Sequence, residues 1–168
     1  MKTSPILNSP YFEPNRHFNA DDRGLTDEII EGRRSSSFYI PVPRAKTKQK
    51  QLELNTSEGA FGTELQKENE FINKVRAKIK QWRNGGYSGI TKTSRDILSY
   101  WRDDTRENKL FFCQIEALET LIYINEVAEK SGESWIIGDL KKASTDANPG
   151  LYRLAFKMAT GSGKTVVM

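Results

Sequence analysis

Residues 157–168 read KMATGSGKTVVM, and the five residues Gly161-Ser162-Gly163-Lys164-Thr165 within them decide which fold to expect. A phosphate-binding loop works because small residues free successive backbone N–H groups to point inward at an anion. The helix that follows adds the partial positive charge of its N-terminus. Gly161 and Gly163 let the backbone approach phosphate closely. Lys164 supplies a cation for the β- and γ-phosphates of a nucleotide, and the Thr165 hydroxyl supplies a ligand for Mg²⁺. Thr160 and Ser162 complete the turn. At ordinary glycine frequency, G-x-G-K-[S/T] arises by chance in a chain this long roughly once in a hundred times or fewer. The preceding LYRLAFKMA reads as a strand, and Thr165–Met168 opens a helix. The strand carries Arg153 and Lys157 between Leu154, Phe156 and Met158. Two basic residues there predict one face near solvent or near an added segment, because central parallel strands are apolar on both faces.

The chain has 168 residues, enough for one ordinary domain. Hydrophobic residues make up 36% and charged residues 29%, a balance that predicts an ordered part joined to a polar, extended part. No apolar run is long enough for a membrane span or a signal peptide. Cys113 is the single cysteine and His17 the single histidine, so neither an internal disulfide nor a Cys/His metal site can be built. A reducing cytoplasm is the expected location. The net charge of +4 permits contact with nucleic acid without requiring it.

Residues 1–60 hold five of the six prolines and little periodicity, so they read as an extended, basic, Pro-rich arm with a short helix at Thr26–Glu31. Arg33, Arg34, Arg44, Lys46, Lys48 and Lys50 carry no acidic residue among them. They form either a phosphate-contacting arm or a solvated linker. The interleaved SSSFYIPVP reads as a short strand or docked segment. Residues 61–132 read as a helical accessory region. A helix over Phe61–Arg83 places Leu65, Ile72, Val75, Ile79 and Trp82 on one stripe, and NGGYSG breaks it. A second helix starts at TKTSRDILSYW, capped by Thr93 or Ser94, with Ile97, Leu98 and Trp101 apolar. The third, Leu110 to Lys130, carries Phe111, Leu118, Leu121, Ile122, Ile124 and Val127 and ends at Gly132, a left-handed terminator. SWIIG reads as a short strand, and KKASTDANPG as a loop into the P-loop strand.

FFCQIEALETLIYINEVAEKSGE followed by GLYRLAFKMATGSGKTVVM resembles the start of the motor core in superfamily 2 DEAD/DEAH-type helicases. Within them the chain is most similar to the res subunits of type III restriction endonucleases. NSPYFEPNRHFNADDRGLTDEIIEGRRSSSFYIPVPRAK and WRNGGYSGITKTSRDILSYW extend the resemblance over nearly the whole chain. Met158 stands where the strict P-loop pattern wants glycine. That departure argues against the small-kinase and GTPase versions and fits the helicase version.

The resemblance implies an α/β fold: the start of a RecA-like P-loop NTPase lobe over residues 133–168, preceded by the mainly helical region and the extended arm. It implies that ATP with Mg²⁺ is bound by Thr160, Gly161, Ser162, Gly163, Lys164 and Thr165, with Lys164 catalytic and Thr165 the metal ligand. It also implies that Gln114 reads adenine, since a carboxamide accepts from the exocyclic amine and donates to a ring nitrogen. Ala117 lies on the same helix. Phe111, Phe112 and Tyr100 are the candidates for stacking on the base. The fifty positions between Gln114 and Lys164 exceed the usual connection, so residues 128–150 read as an insertion. The partners implied are double-stranded DNA and a modification methyltransferase subunit, with no membrane. The family's nuclease centre uses a strand-borne acid and E-x-K. Glu107-Asn108-Lys109 falls in a turn and does not fit it.

The expected function is that of the N-terminal part of an ATP-dependent DNA helicase or translocase, cut just inside its first catalytic motif and inactive as a hydrolase alone. In the longer protein, hydrolysis would be coupled to DNA translocation and cleavage. The alternatives are a superfamily 2 helicase or remodeller without nuclease, and a truncated, non-enzymatic fragment whose helices mediate contacts.

Overall fold

The computed structural model describes residues 6–21, 24–41 and 64–167. The chain divides into two compact units, Met1–Arg34 with Val75–Met168, and Ser35–Lys74.

The first unit opens on a hairpin. β1 (Arg16–Asp21) pairs antiparallel with β2 (Gly24–Glu31), from Arg16↔Glu31 to Asp21↔Gly24, with an irregularity between Phe18 and Ala20. The short helix expected at Thr26–Glu31 is therefore a strand. Ile29 and Ile30 are adjacent β-branched residues that lose rotamer freedom in a helix and suit a pleated surface. Six residues also cannot offset helix nucleation, whereas β1 offers a ready ladder. The Asn8 side chain braces the hairpin. Its Nδ2 donates to the Arg16 carbonyl (2.8 Å), and its Oδ1 accepts from the Asn15 N–H (3.0 Å).

The second unit holds β3 (Ser37–Pro41), paired antiparallel with β4 (Glu64–Glu68), so the SSSFYIPVP stretch does supply a strand. The helix expected from Phe61 begins only at Glu70, because residues 64–68 are taken by that ladder; residues 61–63 lie outside the described residues. Asn69 accepts from the Ile72 N–H at the start of this helix (3.3 Å). Asn73 exchanges hydrogen bonds with both backbone groups of Ser36 (2.8 and 3.2 Å).

α1 (Glu70–Asn84) runs on into the first unit and buries Val75, Ile79 and Trp82, the stripe its spacing predicts. The break after it places Gly86 and Gly89 at positive φ, and Tyr87 as well at φ 59°. A bulky side chain is strained there. α2 (Lys92–Trp101) is capped by Thr91, whose hydroxyl accepts from the Ser94 N–H (3.3 Å), rather than by Thr93 or Ser94. α3 (Phe112–Ile122) passes directly into a π-helical turn, Tyr123–Val127, where the Ala128 N–H reaches back five residues to Tyr123 (2.8 Å). The inserted residue rotates the helix phase, so Tyr123, Ile124, Val127 and Ala128 are all buried. Gly132, at φ 78°, ends the run as expected.

SWIIG is not a strand, and the residues after it are not yet a loop. Both belong to α4 (Ser134–Ala147), which buries Ile136 completely. The segment between Leu151 and Met158 forms no strand either, because among the described residues nothing pairs with it. It is tied to α4 by Ser144, whose hydroxyl accepts from the Arg153 N–H (3.0 Å) and donates to the Leu151 carbonyl (3.3 Å). α5 (Lys164–Val167) is a single turn. Five helices and two two-stranded ladders are thus what the described residues form.

Glu119 lies at the centre of the first unit with no solvent exposure. Its carboxylate accepts from Arg83 Nε (2.9 Å) and Nη2 (2.6 Å), from the Tyr87 hydroxyl (2.5 Å) and from Arg102 Nη1 (3.0 Å). Burial works against the charge on Arg83, but the bonds and charge of Glu119 outweigh it and raise the arginine's pKa. Burial, then the bond to Glu119, raises the pKa of Tyr87. The bonds of the Tyr87 hydroxyl and its edge-on contact with Trp82 (4.9 Å) hold Tyr87 in its strained conformation.

Two outcomes follow for stability. Glu119→Ala leaves Arg83 and Arg102 without their buried partner and is expected to cost about 3–5 kcal/mol, read from urea unfolding; an unchanged midpoint contradicts the buried network. Glu126 accepts from the Ser94 hydroxyl and, at 2.6 Å, from the Thr91 N–H, and these bonds hold its pKa below 4.5. Because the folded pKa is the lower one, this stabilisation is complete above the unfolded value. It is lost as the pH falls through the folded value. Glu126→Gln should therefore flatten the acid limb of the stability–pH curve.

Candidate phosphate loop and its glutamine

The loop starts from two small residues and two left-handed glycines. Gly161 has φ 79° and Gly163 φ 70°, conformations that side-chain-bearing residues rarely adopt. The Ser162 hydroxyl donates to the Ala159 carbonyl (2.7 Å), which closes the turn. Lys164 folds its ammonium back onto the carbonyls of Ala159 (3.1 Å) and Met158 (3.4 Å). Among the described residues, the N–H groups of Gly161, Gly163, Lys164 and Thr165 donate to no protein acceptor. N–H groups without a protein acceptor, beside an ammonium, are a donor set that an anion such as phosphate would fit. Thr160 and Thr165 are exposed, so the Thr165 hydroxyl is open to a ligand.

Gln114 is brought to this loop. It sits in the first turn of α3 and is 4% exposed. Its Oε1 accepts from the Phe111 N–H (2.7 Å), satisfying one orphan donor of the helix start. Its Nε2 donates to the Gly163 carbonyl (3.0 Å). That pair of bonds assigns the amide orientation, since the opposite one would set donor against donor. The approach is close: a Cβ at Gly163 would stand 2.4 Å from Gln114 Nε2, so the glutamine amide would have to shift. The long connection between the two residues is accounted for by α4.

The three aromatic candidates have different surroundings. Phe111 flanks Gln114 at the start of α3 and lies beside Tyr11 (5.6 Å between ring centres). Phe112 carries Arg83 and Arg33 near its ring at 5.1 and 5.5 Å. Tyr100 packs with Arg106 (4.0 Å) and Trp101 (5.1 Å). Phe111 is the one whose backbone N–H hydrogen-bonds to the Gln114 side chain.

Arg33, read as part of a basic arm, is instead engaged by Glu116 through two parallel bonds (2.5 and 2.6 Å). Those bonds, more than the opposing effect of burial, raise its pKa. Arg34 is exposed, whereas Arg44, Lys46, Lys48 and Lys50 lie outside the described residues. Glu107-Asn108-Lys109 falls between α2 and α3, where Lys109 meets Asp104 (3.4 Å), as its turn reading predicts. Among the described residues no helix is long and apolar enough to cross a membrane.

The cluster that sequence reading missed is Glu119 with Arg83, Tyr87 and Arg102. One signal was present: Ile115, Glu119 and Ile122 follow the four- and three-residue steps of a buried face, with a carboxylate in the middle. No family model matches the chain, and neither a curated protein nor a solved structure is significantly similar to it.

Gly163→Ala should distort the loop on two counts, its positive φ and the collision with Gln114. The Gln114→Ala background relieves only the second. If both act, Gly163→Ala lowers the urea-unfolding midpoint, and by less in the Gln114→Ala background than in the parent; an unchanged midpoint in Gly163→Ala would refute the close packing.

Proposed function

We propose that this chain carries the nucleotide-binding entrance of a cytoplasmic, ATP-dependent DNA helicase or translocase, a res-type subunit of a type III-like restriction system. The observation that carries the reading is the hydrogen bond from Gln114 to Gly163. It joins a glutamine and a P-loop glycine 49 residues apart, two elements that an ATP-selective motor requires together. The free N–H groups of the loop and the Lys164 ammonium support it.

In this reading the backbone of residues 160–165 holds the phosphates. Lys164 leaves the carbonyls of Met158 and Ala159 to meet the β- and γ-phosphate oxygens, and Thr165 offers its hydroxyl to Mg²⁺. Gln114 selects adenine, with Phe111, whose N–H bonds to the Gln114 side chain, the candidate for stacking on the base. ATP supplies the phosphoanhydride whose cleavage drives movement. Hydrolysis also needs an oriented water and neutralisation of transition-state charge, for which a P-loop alone offers no groups. Double-stranded DNA, a methyltransferase subunit and DNA cleavage are the partners and outcome of this reading.

Binding measurements test it. Lys164→Ala should weaken Mg-ATP binding at least tenfold in calorimetric titration, through loss of a charge-assisted contact. Gln114→Ala should lower the preference for ATP over GTP by on the order of 1–2 kcal/mol, the worth of a lost pair of hydrogen bonds. An ATP/GTP ratio that stays put would reduce Gln114 to a structural brace of Gly163. Equal ATP affinity in Lys164→Ala would remove the P-loop assignment itself.

A further inference from the structure

α2 and the turn before it border a half-open cleft of about 140 Å³, lined by Tyr87, Ile90, Arg95, Leu98, Ser99 and Arg102. Every charged residue in that lining is an arginine. Arg95, Leu98, Ser99 and Arg102 stand three, four and seven residues apart and so share one helix face. We propose that this cavity is a second anion site, separate from the P-loop, which takes a single phosphate group.

Three observations carry the proposal. The first is preorganisation. Arg102 Nη1 is held by Glu119 (3.0 Å) and by the Tyr87 hydroxyl (2.5 Å). Glu119 is wholly buried, so this end of the guanidinium is fixed from beneath while the side chain remains 42% exposed. A planar guanidinium anchored on one edge loses little further freedom when its other edge meets an anion. The second is unspent charge. Glu119 is shared with Arg83, and among the described residues Arg95 has no carboxylate partner. The Ser99 hydroxyl likewise has no partner among them and lies on the same face. The third is size. A cavity of about 150 Å³ holds a benzene-sized group. This one therefore has room for the five heavy atoms of phosphate. A tetrahedral phosphate has enough oxygens to meet two guanidinium groups and a hydroxyl at once. A carboxylate has two.

Such a phosphate could be free in solution or belong to a nucleic-acid backbone, and the chemistry at the cavity is the same. Titration of the isotopically labelled chain with inorganic phosphate, at constant ionic strength, provides the test. Expected are saturable shifts at Arg95, Ser99 and Arg102, weakened at least tenfold in Arg95→Gln and unaltered in Lys164→Ala, which removes the P-loop cation. Arg95 is exposed and outside the Glu119 network, so Arg95→Gln is expected to fold; a matching spectrum elsewhere confirms that. A short DNA duplex that displaces phosphate from these residues identifies the source as a backbone, and a duplex without effect identifies free phosphate. Shifts that persist in Arg95→Gln, shifts confined to residues 160–165, or equal displacement by acetate would each overturn the proposal.

Discussion

A carboxylate taken out of water is costly unless every lone pair finds a donor, and Glu119 satisfies that demand with Arg83, Tyr87 and Arg102. The consequence is topological. Arg83 ends α1, Tyr87 sits in the left-handed turn, Arg102 caps α2 and Glu119 lies within α3. One buried anion therefore fixes three helices and the turn between two of them. Apolar contact alone is non-directional and would let these helices slide. The geometry of a shared carboxylate does not. Gln114 lies five residues before Glu119, little more than a turn of the same helix, so the anchor that sets α3 also sets the residue that meets Gly163.

Around this centre a second, wetter ring of charge alternates in sign. Arg83 also approaches Glu13 (3.5 Å) and Glu116 (3.8 Å), Glu116 binds Arg33, and Glu13 meets Lys80 (3.3 Å). The partly exposed pairs contribute little individually. Their effect is on placement, because Arg33 and Glu13 bring the N-terminal segment against α1 and α3. That role explains why Arg33 is not free to serve as a phosphate contact, although its sequence neighbourhood is basic.

What was legible in the sequence was what repeats locally. Val75, Ile79 and Trp82 on α1, Leu98 on α2, and Ile122, Ile124 and Val127 further on are buried as their spacing implies. Gly132 terminates as expected. Leu121 is read as part of the apolar stripe but is 42% exposed, whereas the adjacent Ile122 takes the buried face of α3 with Ile115 and Glu119. Ile29–Ile30 and Glu64–Glu68 form strands because each pairs across a ladder, with Phe18–His17 and with Ser37–Pro41, and a helical-period pattern does not show such pairing. SWIIG read as β from its bulky residues, yet fourteen residues with Ile136 facing inward favoured a helix. The turn at Gly161–Gly163 was legible, because its glycines sit at positive φ. The bond that Gln114 makes to it was not a local property.

That bond bears on whether Gln114 can read a base at all. A carboxamide has two N–H donors and two oxygen lone pairs. In this structure one donor is spent on the Gly163 carbonyl and one lone pair on the Phe111 N–H. One donor and one acceptor remain, the same complement that a base offering an amine beside a ring nitrogen demands. In the proposed reading, bracing the loop and selecting a base are therefore not competing uses of the residue. The bonds already made orient the amide plane, so the remaining pair is fixed in direction before any ligand arrives, and less ordering is needed when one binds. A glutamate would keep the acceptor but lose both donors, and would set a negative charge beside the phosphate loop. An asparagine would keep the groups but fall one methylene short of Gly163. In the proposed reading the position calls for glutamine on three counts at once: length, donor and acceptor.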